Sequence, residues 1–217
     1  VEIFARLDPA KEVSGDLYDF FPVEPGKMCF VVGDVSGKGV AAGLFMAVTR
    51  TLIRATVVPG RKPLEILQRV NAQLCAENRA NLFVTMILGL VDTTTGRMEY
   101  GQGGHNPPLL IPAKGDPAYE PSGGMPLGVF EDAKFGQRQL DLKAGETLLV
   151  YTDGVTEAMN PERELFGEER FKKSVEGSAT LSPEQLTQRV VAEVTKFARG
   201  AEPSDDITLL AIQHRTG

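Results

Sequence analysis

Short apolar runs bounded by Gly, Pro, Asp and Lys divide most of this chain into predicted strands. Within Met28–Val32 both alternating faces are apolar, and Leu148–Tyr151 and Ile207–Ile212 have the same character. A strand that is buried on both faces needs a cover on each side, from helices or from a second sheet. The predicted strands are residues 2–7, 16–23, 27–33, 83–91, 97–101, 108–111, 136–142, 148–151 and 207–212.

Three longer segments carry apolar residues at helical spacing. Residues 40–57 have an apolar side chain every three or four positions, which predicts a helix that packs on the sheets. Pro63 suits the first position of a second helix, over residues 63–78. Ser182, followed by Pro, Glu and Gln, predicts the N-cap of a third helix that ends near residue 199.

The composition indicates one globular domain. The chain has 217 residues, of which 42% are hydrophobic, and this is enough for a sizeable core. Val1 stands where Met is expected, so we interpret residues 1–217 as one catalytic domain cut from a longer protein that has an N-terminal sensor or regulatory region.

Charge and hydropathy exclude two classes of partner. The net charge is −6 and no basic cluster is visible along the chain, which argues against nucleic acid as the main partner. No uncharged stretch is long enough to cross a bilayer, and no secretory leader is visible. We therefore expect a cytoplasmic location, although the full-length protein could be anchored to a membrane through an N-terminal part.

Aspartates stand at the ends of the most apolar predicted strands. A carboxylate beside a buried strand is costly unless a cation neutralises it, and divalent cations do this well. Oxygen ligands select Mg²⁺ or Mn²⁺ over zinc, and the isolated His105 and His214 offer no zinc spacing. The aspartates in question are Asp16, Asp34, Asp153, Asp205 and Asp206.

Hairpin geometry predicts how these carboxylates meet. A three-residue loop over Glu24–Gly26 places Asp16 opposite Asp34, with both side chains on one face. A two-residue loop needs a bulge to restore that match. If strand 207–212 runs antiparallel to the strands that end at Asp34 and Asp153, all of these carboxylates lie at one edge of the sheet.

Five motifs, GDLYD, GDVSGKG, GGHNPPLL, YTDGVTEA and SDDIT, occur in this order between roughly Ile3 and Ile212. Together they resemble the metal-dependent (PPM-type, type 2C) protein serine/threonine phosphatases, and most closely the bacterial SpoIIE/RsbU-like branch that regulates sigma factors, sporulation and stress responses. The resemblance implies an α+β fold, a four-layer α-β-β-α sandwich in which two mainly antiparallel sheets pack face to face with helices outside.

The same resemblance implies an activity and its metal ions. The family uses two Mn²⁺ or Mg²⁺ ions to activate a water that hydrolyses phosphoserine or phosphothreonine without a covalent intermediate. Its usual substrate is a phosphorylated anti-sigma-factor antagonist. The expected partners are such a phosphoprotein and an upstream sensor domain or activator; a homodimer stays open. The position of helix 40–57, a few residues after Asp34, has two interpretations: a switch, packed with helix 63–78, that an upstream domain or dimer partner moves, or a fixed core helix.

Residue roles follow the motifs. The resemblance implies that Asp34 bridges both metals and that the Val35 carbonyl is a backbone ligand. Asp16, Asp153 and Asp205 complete the metal shells and, with Asp34, form the catalytic set.

Other positions have two interpretations each. Asp206 stands where eukaryotic relatives carry Asn, so it either binds metal or supports the site. Lys38 either binds substrate phosphate or is a solvated lysine at the start of a helix. His105 either binds substrate phosphate or has a structural role. Asp19 could reach a metal-bound water.

Two departures from the eukaryotic pattern leave the general acid unassigned. Eukaryotic relatives carry a His two residues after the bridging aspartate, where this chain has Ser36. They also carry a phosphate-binding Arg shortly before the first aspartate, where the nearest cations here are Arg6 and Lys11.

Rival phosphatase chemistries lack their motifs. A cysteine phosphatase needs Arg six positions after its Cys, and Val35 and Asn81 stand there instead. No Asp-x-Asp triplet followed by Thr or Val is present, and GDVSGKG differs from a P-loop in its glycine spacing. Two functions stay open beside the protein phosphatase: a catalytically silent regulatory binding module and a metal-dependent hydrolase of a small phosphoester.

Overall fold

The computed structural model describes residues 1–215, with the side chain of Glu77 left out. Its strands are β1 (Glu2–Asp8), β2 (Asp16–Glu24), β3 (Lys27–Val35), β4 (Val84–Asp92), β5 (Arg97–Gly103), β6 (Leu109–Ile111), β7 (Ala118–Tyr119), β8 (Gly136–Asp141), β9 (Thr147–Tyr151) and β10 (Ile207–Gln213). Its helices are α1 (Val40–Thr56), α2 (Pro63–Glu77), α3 (Gly167–Ser174) and α4 (Pro183–Ala198), and a 3₁₀ turn covers Asp153–Val155.

The strands form two antiparallel sheets that pack face to face. The first has the order β2-β3-β4-β5-β8 and the second has the order β1-β10-β9-β6-β7. Between them lies a shared apolar core that includes Phe30, Val32, Ile87, Leu148 and Leu210. Helices α1 and α2 cover the outer face of the first sheet, and α3 and α4 cover the second. The predicted α-β-β-α sandwich is confirmed.

The turn between β2 and β3 takes the second of the two predicted geometries. Glu24 pairs with Lys27 across a two-residue loop, and the register shifts between Pro22 and Glu24. This bulge restores the pairing of Asp16 with Asp34, which is confirmed.

The expected single sheet edge is wrong. β9 and β10 are antiparallel neighbours as predicted, but β3 belongs to the other sheet. β3 is buried on one face by the helices and on the other by the second sheet. The carboxylate-bearing strand ends therefore come from both sheets and meet at one end of the sandwich.

The predicted helices are confirmed within one or two residues, while α3 and β7 were not predicted. Ser182 caps α4 in a capping box with Gln185, as its sequence indicated. The sequence of α3, GEERFKKS, buries only Phe171 and Ser174, so it has no apolar stripe to detect. Among residues 1–215, no helix has both the length and the apolar character to cross a bilayer.

Candidate metal centre

Carboxylates from four segments gather at one end of the sandwich. Asp16 opens β2 and lies directly opposite Asp34, near the end of β3. Asp153 begins the 3₁₀ turn that follows β9. Asp205 and its neighbour lie just before β10. The residues that the sequence assigned to one site are thus brought together, although they come from different sheets.

Burial and mutual repulsion disfavour the ionised form of the clustered carboxylates. Burial raises the pKa of Asp34 to about 8, and the nearby carboxylates of Asp16, Asp153 and Asp205 add to this effect. Burial also raises the pKa of Asp16 to about 7. Burial also raises the pKa of Asp153, and the negative charges of Glu157 and Asp205 raise it further. Such mutual repulsion favours a cation that can neutralise several carboxylates at once.

Two buried threonine hydroxyls orient Asp16. Thr152 and Thr208 both donate hydrogen bonds to the same carboxylate oxygen, Oδ2, at 2.7 and 2.6 Å. The Thr208 backbone N–H donates in turn to the Thr152 hydroxyl at 3.0 Å. Within residues 1–215, both hydroxyl donors bond Oδ2, and the facing side chain of Asp34 is a further hydrogen-bond partner of Asp16.

Sequence analysis missed these two threonines. Thr152 directly precedes Asp153, and Thr208 lies two positions after Asp206 on the same face of β10. Their position beside the aspartates was a signal, but the partner of each hydroxyl lies in the opposite sheet and is visible only in the structure.

Asp206 supports the loop that precedes β2. Its two carboxylate oxygens accept hydrogen bonds from the backbone N–H groups of Ala10 at 2.7 Å and Gly15 at 3.0 Å. These contacts favour a supporting role for Asp206 over metal binding.

Lys38 is held against the centre. Its Nζ lies 2.8 Å from Asp205 Oδ2 and donates to the Ser204 carbonyl at 2.6 Å. In residues 1–215 no other cation lies within 4.0 Å of the clustered carboxylates. Lys38 is therefore ion-paired although its side chain is about half exposed, and it pairs with one carboxylate of the group.

Glycines permit the close approach of these segments. A Cβ on Gly154 would lie 2.0 Å from the Asp206 carbonyl oxygen, so only glycine lets the 3₁₀ turn pack against the start of β10. Gly37 and Gly39 have φ values of +85° and +82°, which let the chain turn between Asp34 and the first residue of α1.

His105 lies inside the sandwich. It is 3% exposed, and its Nδ1 is 2.8 Å from the hydroxyl of Thr85, the β4 residue that pairs with Asp34. Burial lowers the pKa of His105 to about 4, with the Tyr151 carbonyl opposing this effect. A neutral, buried imidazole favours the structural interpretation over contact with a substrate phosphate.

Asp19 lies on the opposite face of β2 from Asp16. Arg54 contacts both of its oxygens at 2.6 and 2.7 Å, and Arg50 Nε lies 3.0 Å away. The hydroxyl of Ser36, which stands where eukaryotic relatives carry His, accepts a hydrogen bond from the Phe83 N–H at 2.9 Å. The structure places Asp19 away from the carboxylate cluster.

The chemistry of the donor set fits divalent ions, although the side chains do not converge on one point. Among residues 1–215, no three Asp, Glu, His or Cys side chains are close enough together to enclose a metal as they stand. The cluster nevertheless supplies only hard oxygen donors, and its two central carboxylates have raised pKa values for lack of positive charge. Val35, whose carbonyl the sequence assigned as a ligand, is buried beside Asp34.

A family model described as Stage II sporulation protein E (SpoIIE) matches residues 24–215. The chain belongs to the SpoIIE family of PP2C-type serine/threonine phosphatases. The identification made from the five motifs is confirmed, and the chain is a protein phosphatase domain by family. The PP2C family is metal-dependent.

Two curated relatives align over almost the whole chain. Protein IcfG from Synechocystis is 30% identical and covers 97% of this chain, and phosphoserine phosphatase RsbU from Bacillus subtilis is 24% identical and covers 99%. The alignments span only 37% of IcfG and 64% of RsbU, so both relatives are considerably longer than the matched region.

Solved structures share the fold. The RsbU and RsbW domains of Rv1364c from Mycobacterium tuberculosis superpose with a TM-score of 0.81 at 31% identity, covering 99% of this chain and 60% of that chain. The SiaA-PP2C domain of Pseudomonas aeruginosa gives a TM-score of 0.86 at 20% identity, over 97% of this chain and 85% of the other.

Proposed function

We propose that this SpoIIE-family domain hydrolyses phosphoserine or phosphothreonine on a protein, with two Mn²⁺ or Mg²⁺ ions held by the carboxylate cluster. The observation that carries the proposal is the carboxylate cluster itself: Asp16 lies opposite Asp34, burial raises the pKa of both, and within residues 1–215 Lys38 is the one cation paired with the group. A buried set of oxygen donors that lacks positive charge is suited to hard divalent cations.

The aspartates of the cluster have different roles in holding the ions. Asp34 lies at the centre, where the charges of Asp16, Asp153 and Asp205 all act on it, and this suits the ligand shared by both ions. Thr152 and the neighbouring hydroxyl of β10 hold one oxygen of Asp16 and so fix the orientation of its carboxylate. When bound, the ions supply the Lewis acidity that makes a water nucleophilic at neutral pH and neutralises phosphate charge.

The activity is tested by phosphate release from a phosphoserine peptide and from p-nitrophenyl phosphate, with Mn²⁺, with Mg²⁺ and with EDTA. We expect metal-dependent turnover that Asp34→Asn lowers by more than about 100-fold, because even residues that only support metal ligands are worth 10- to 100-fold. Asp141→Asn, which changes an exposed carboxylate on β8, is the matched control and should retain full activity.

The two rival functions give different results. Turnover of free nucleotides that far exceeds turnover of the phosphopeptide would indicate a hydrolase of small phosphoesters. A folded protein that binds Mn²⁺ tightly but releases no phosphate would indicate a domain that awaits an activator. Absence of both binding and turnover would indicate a silent binding module.

We propose that the substrate is an anti-sigma-factor antagonist and that this protein acts on it in the cytoplasm. The support comes from the relatives: RsbU and RsbP of Bacillus subtilis are named phosphoserine phosphatases, and one structural neighbour joins an RsbU domain to an RsbW domain. Comparing turnover of a phosphorylated antagonist with that of an unrelated phosphoprotein tests this assignment.

We further propose regulation by a partner segment at α1 and α2. A groove of about 610 Å³ lies between these helices, and Val40, Leu44 and Val48 are 52–68% exposed along one face of α1. The relatives are longer than the matched region, so additional chain is available there to cover the groove. Since α1 begins five residues after Val35, its movement would reach the metal ligands. A cross-link between α1 and α2 that leaves activation unchanged would contradict this switch.

A further inference from the structure

A second polar site lies on the far side of the second sheet, in the seam between α3 and α4. This α3–α4 pocket has a volume of about 510 Å³. Its lining includes five cations and one carboxylate, Glu193. The cations are Arg170, Lys173, Arg189, Lys196 and Arg199.

This concentration of positive charge runs against the composition of the chain. The protein has 29 acidic residues and 23 basic ones, yet the pocket reverses that balance. Within residues 1–215, the one ion pair to these five cations joins Arg199 to Glu162 at 3.4 Å, and both of its side chains are exposed. An exposed pair of this kind is weak, so the positive field of the pocket is largely uncompensated.

The two arginines at the seam are held in place by neutral groups. Arg170 donates to the Leu165 and Phe166 carbonyls at 2.9 and 3.2 Å, and its guanidinium lies 4.8 Å from the centroid of the Phe197 ring. Arg189 donates to the Glu176 carbonyl at 3.0 Å. These contacts fix the side chains without neutralising their charge, which lowers the entropy lost when they bind an anion.

The pocket suits an acidic protein segment better than a free anion or a nucleic acid. All five cations are exposed, whereas a site for a small molecule normally encloses most of its ligand. A polynucleotide needs a longer basic surface than this single pocket provides. Arg groups that bind carboxylate or phosphate, over a floor that contains Phe166 and Phe197, match a peptide with acidic and apolar side chains.

The chain connects this pocket to the carboxylate cluster. Asp205 follows Arg199 by six residues, which span at most about 22 Å. At the start of α3, Phe166 N–H donates to the Ala158 carbonyl and Gly167 N–H donates to the Thr156 carbonyl, so the pocket rests on the segment that follows Asp153. An extended segment of about seven residues spans the same distance, so a protein bound at the metal centre can reach this pocket with such a segment.

We propose that the α3–α4 pocket docks an acidic segment of a protein partner, and that this partner is the phosphoprotein substrate. The second half of this statement rests on the proposed phosphatase function. The first half concerns binding alone and can be tested without any metal.

The first experiment measures fluorescence anisotropy of a labelled hexaglutamate peptide, with the protein in EDTA at low salt. We expect binding that weakens with salt and that the double variant Arg189→Glu/Lys196→Glu weakens at least tenfold. The matched control, Lys114→Glu/Lys143→Glu, changes the charge equally at exposed positions outside the pocket and should alter binding less than twofold. Equal effects of the two double variants would overturn the proposal, as would a 20-nucleotide single strand that binds as tightly as the peptide through the same two residues.

The second experiment compares kcat/KM for a phosphoserine peptide with and without a hexaglutamate tail, placed on either side. We expect the tail to raise kcat/KM severalfold in the wild type but not in Arg189→Glu/Lys196→Glu, while turnover of p-nitrophenyl phosphate is the same in both. Metal-dependent turnover without any advantage from the tail would overturn docking of the substrate and leave the phosphatase intact. Pocket-dependent binding of hexaglutamate in a protein that neither binds Mn²⁺ nor releases phosphate would support the docking site and contradict the proposed function.

Discussion

Two aspartates of the same strand, Asp16 and Asp19, are both buried but have opposite electrostatic surroundings. They are 3% and 5% exposed, so desolvation acts on each of them. Asp19 faces α1, where hydrogen bonds from Arg54 and Arg50 outweigh burial and bring its pKa below the usual value. Asp16 faces the space between the sheets, where two hydroxyls only partly oppose burial and the pKa rises to about 7.

The difference separates a structural carboxylate from one suited to a ligand. Asp19 receives its counter-ions from the protein and is neutralised in the folded state. Asp16 and the facing Asp34 are left short of positive charge, which the fold tolerates because an external cation can supply it. A buried carboxylate that is paired with arginine or lysine side chains indicates a structural role. A buried carboxylate without such partners indicates a binding site.

The largest expected effect is a dependence of stability on pH in the metal-free protein. Asp16 and Asp34 keep their protons in the folded state up to pH values near 7 and 8, but lose them near 3.8 when unfolded. The folded state therefore binds more protons between these values, and its stability falls as the pH rises. We expect the free energy of unfolding in EDTA, measured by urea denaturation, to drop by several kcal/mol from pH 5 to pH 8, because each of the two groups contributes about 1.4 kcal/mol per pH unit below its folded pKa.

Asp34→Asn should flatten this pH profile, because it removes one of the titrating groups and the repulsion on the other. Asp19→Asn should leave the downward slope in place, since the pKa of Asp19 lies below its usual value. If the metal-free wild type were equally stable at pH 5 and pH 8, the pKa of Asp16 would not be raised, and the contrast between Asp16 and Asp19 would be wrong.

Metal binding provides the next test of the comparison. Mn²⁺ at 100 times its Kd should add about 2.7 kcal/mol to the free energy of unfolding of the wild type at pH 7.5, and EDTA should reverse this. We expect Asp19→Asn to start from a lower stability but to show the same gain, and Asp34→Asn to show almost none. Loss of the Mn²⁺ gain in Asp19→Asn would mean that Asp19 belongs to the metal centre.

The threonine hydroxyls that hold Asp16 should have a smaller effect. Thr208→Val removes one donor to Oδ2 with little change of shape, and we expect it to weaken Mn²⁺ binding by about 10-fold, within the usual range for groups that orient metal ligands. Thr187→Val is the matched control, because it removes a fully buried hydroxyl of α4 that bonds only the Glu184 carbonyl. Isothermal titration with Mn²⁺ distinguishes the two; similar affinities for both variants would contradict the orienting role.

The smallest effect is expected at Lys38. Its ion pair with Asp205 is partly exposed, so it contributes no more than about 1 kcal/mol. Lys38→Met removes a cation that competes with metal for Asp205 and should tighten Mn²⁺ binding by a few-fold in the same titration. Weaker Mn²⁺ binding in this variant would show that the lysine helps to form the site.

Local pattern was sufficient for most of the fold. Apolar runs and turn residues predicted nine of the ten strands, because burial on one or both faces leaves its period in the sequence. Helix α3 and strand β7 escaped because one is short and highly charged and the other has only two residues. The pairing of Asp16 with Asp34 was predictable from hairpin geometry, because a three-residue loop and a two-residue loop with one bulge give the same register.

The sequence alone determined the class of protein, the architecture and the aspartates that end the central strands. Only the tertiary structure decided what surrounds each of these groups. It gave Asp19 two arginines from α1 and gave Asp16 two hydroxyls from the opposite sheet. It also gathered the cations of α3 and α4, which are dispersed along the chain, into one pocket. The reason is that the type of a residue is local, whereas desolvation and Coulomb interaction depend on distances that only the folded chain sets.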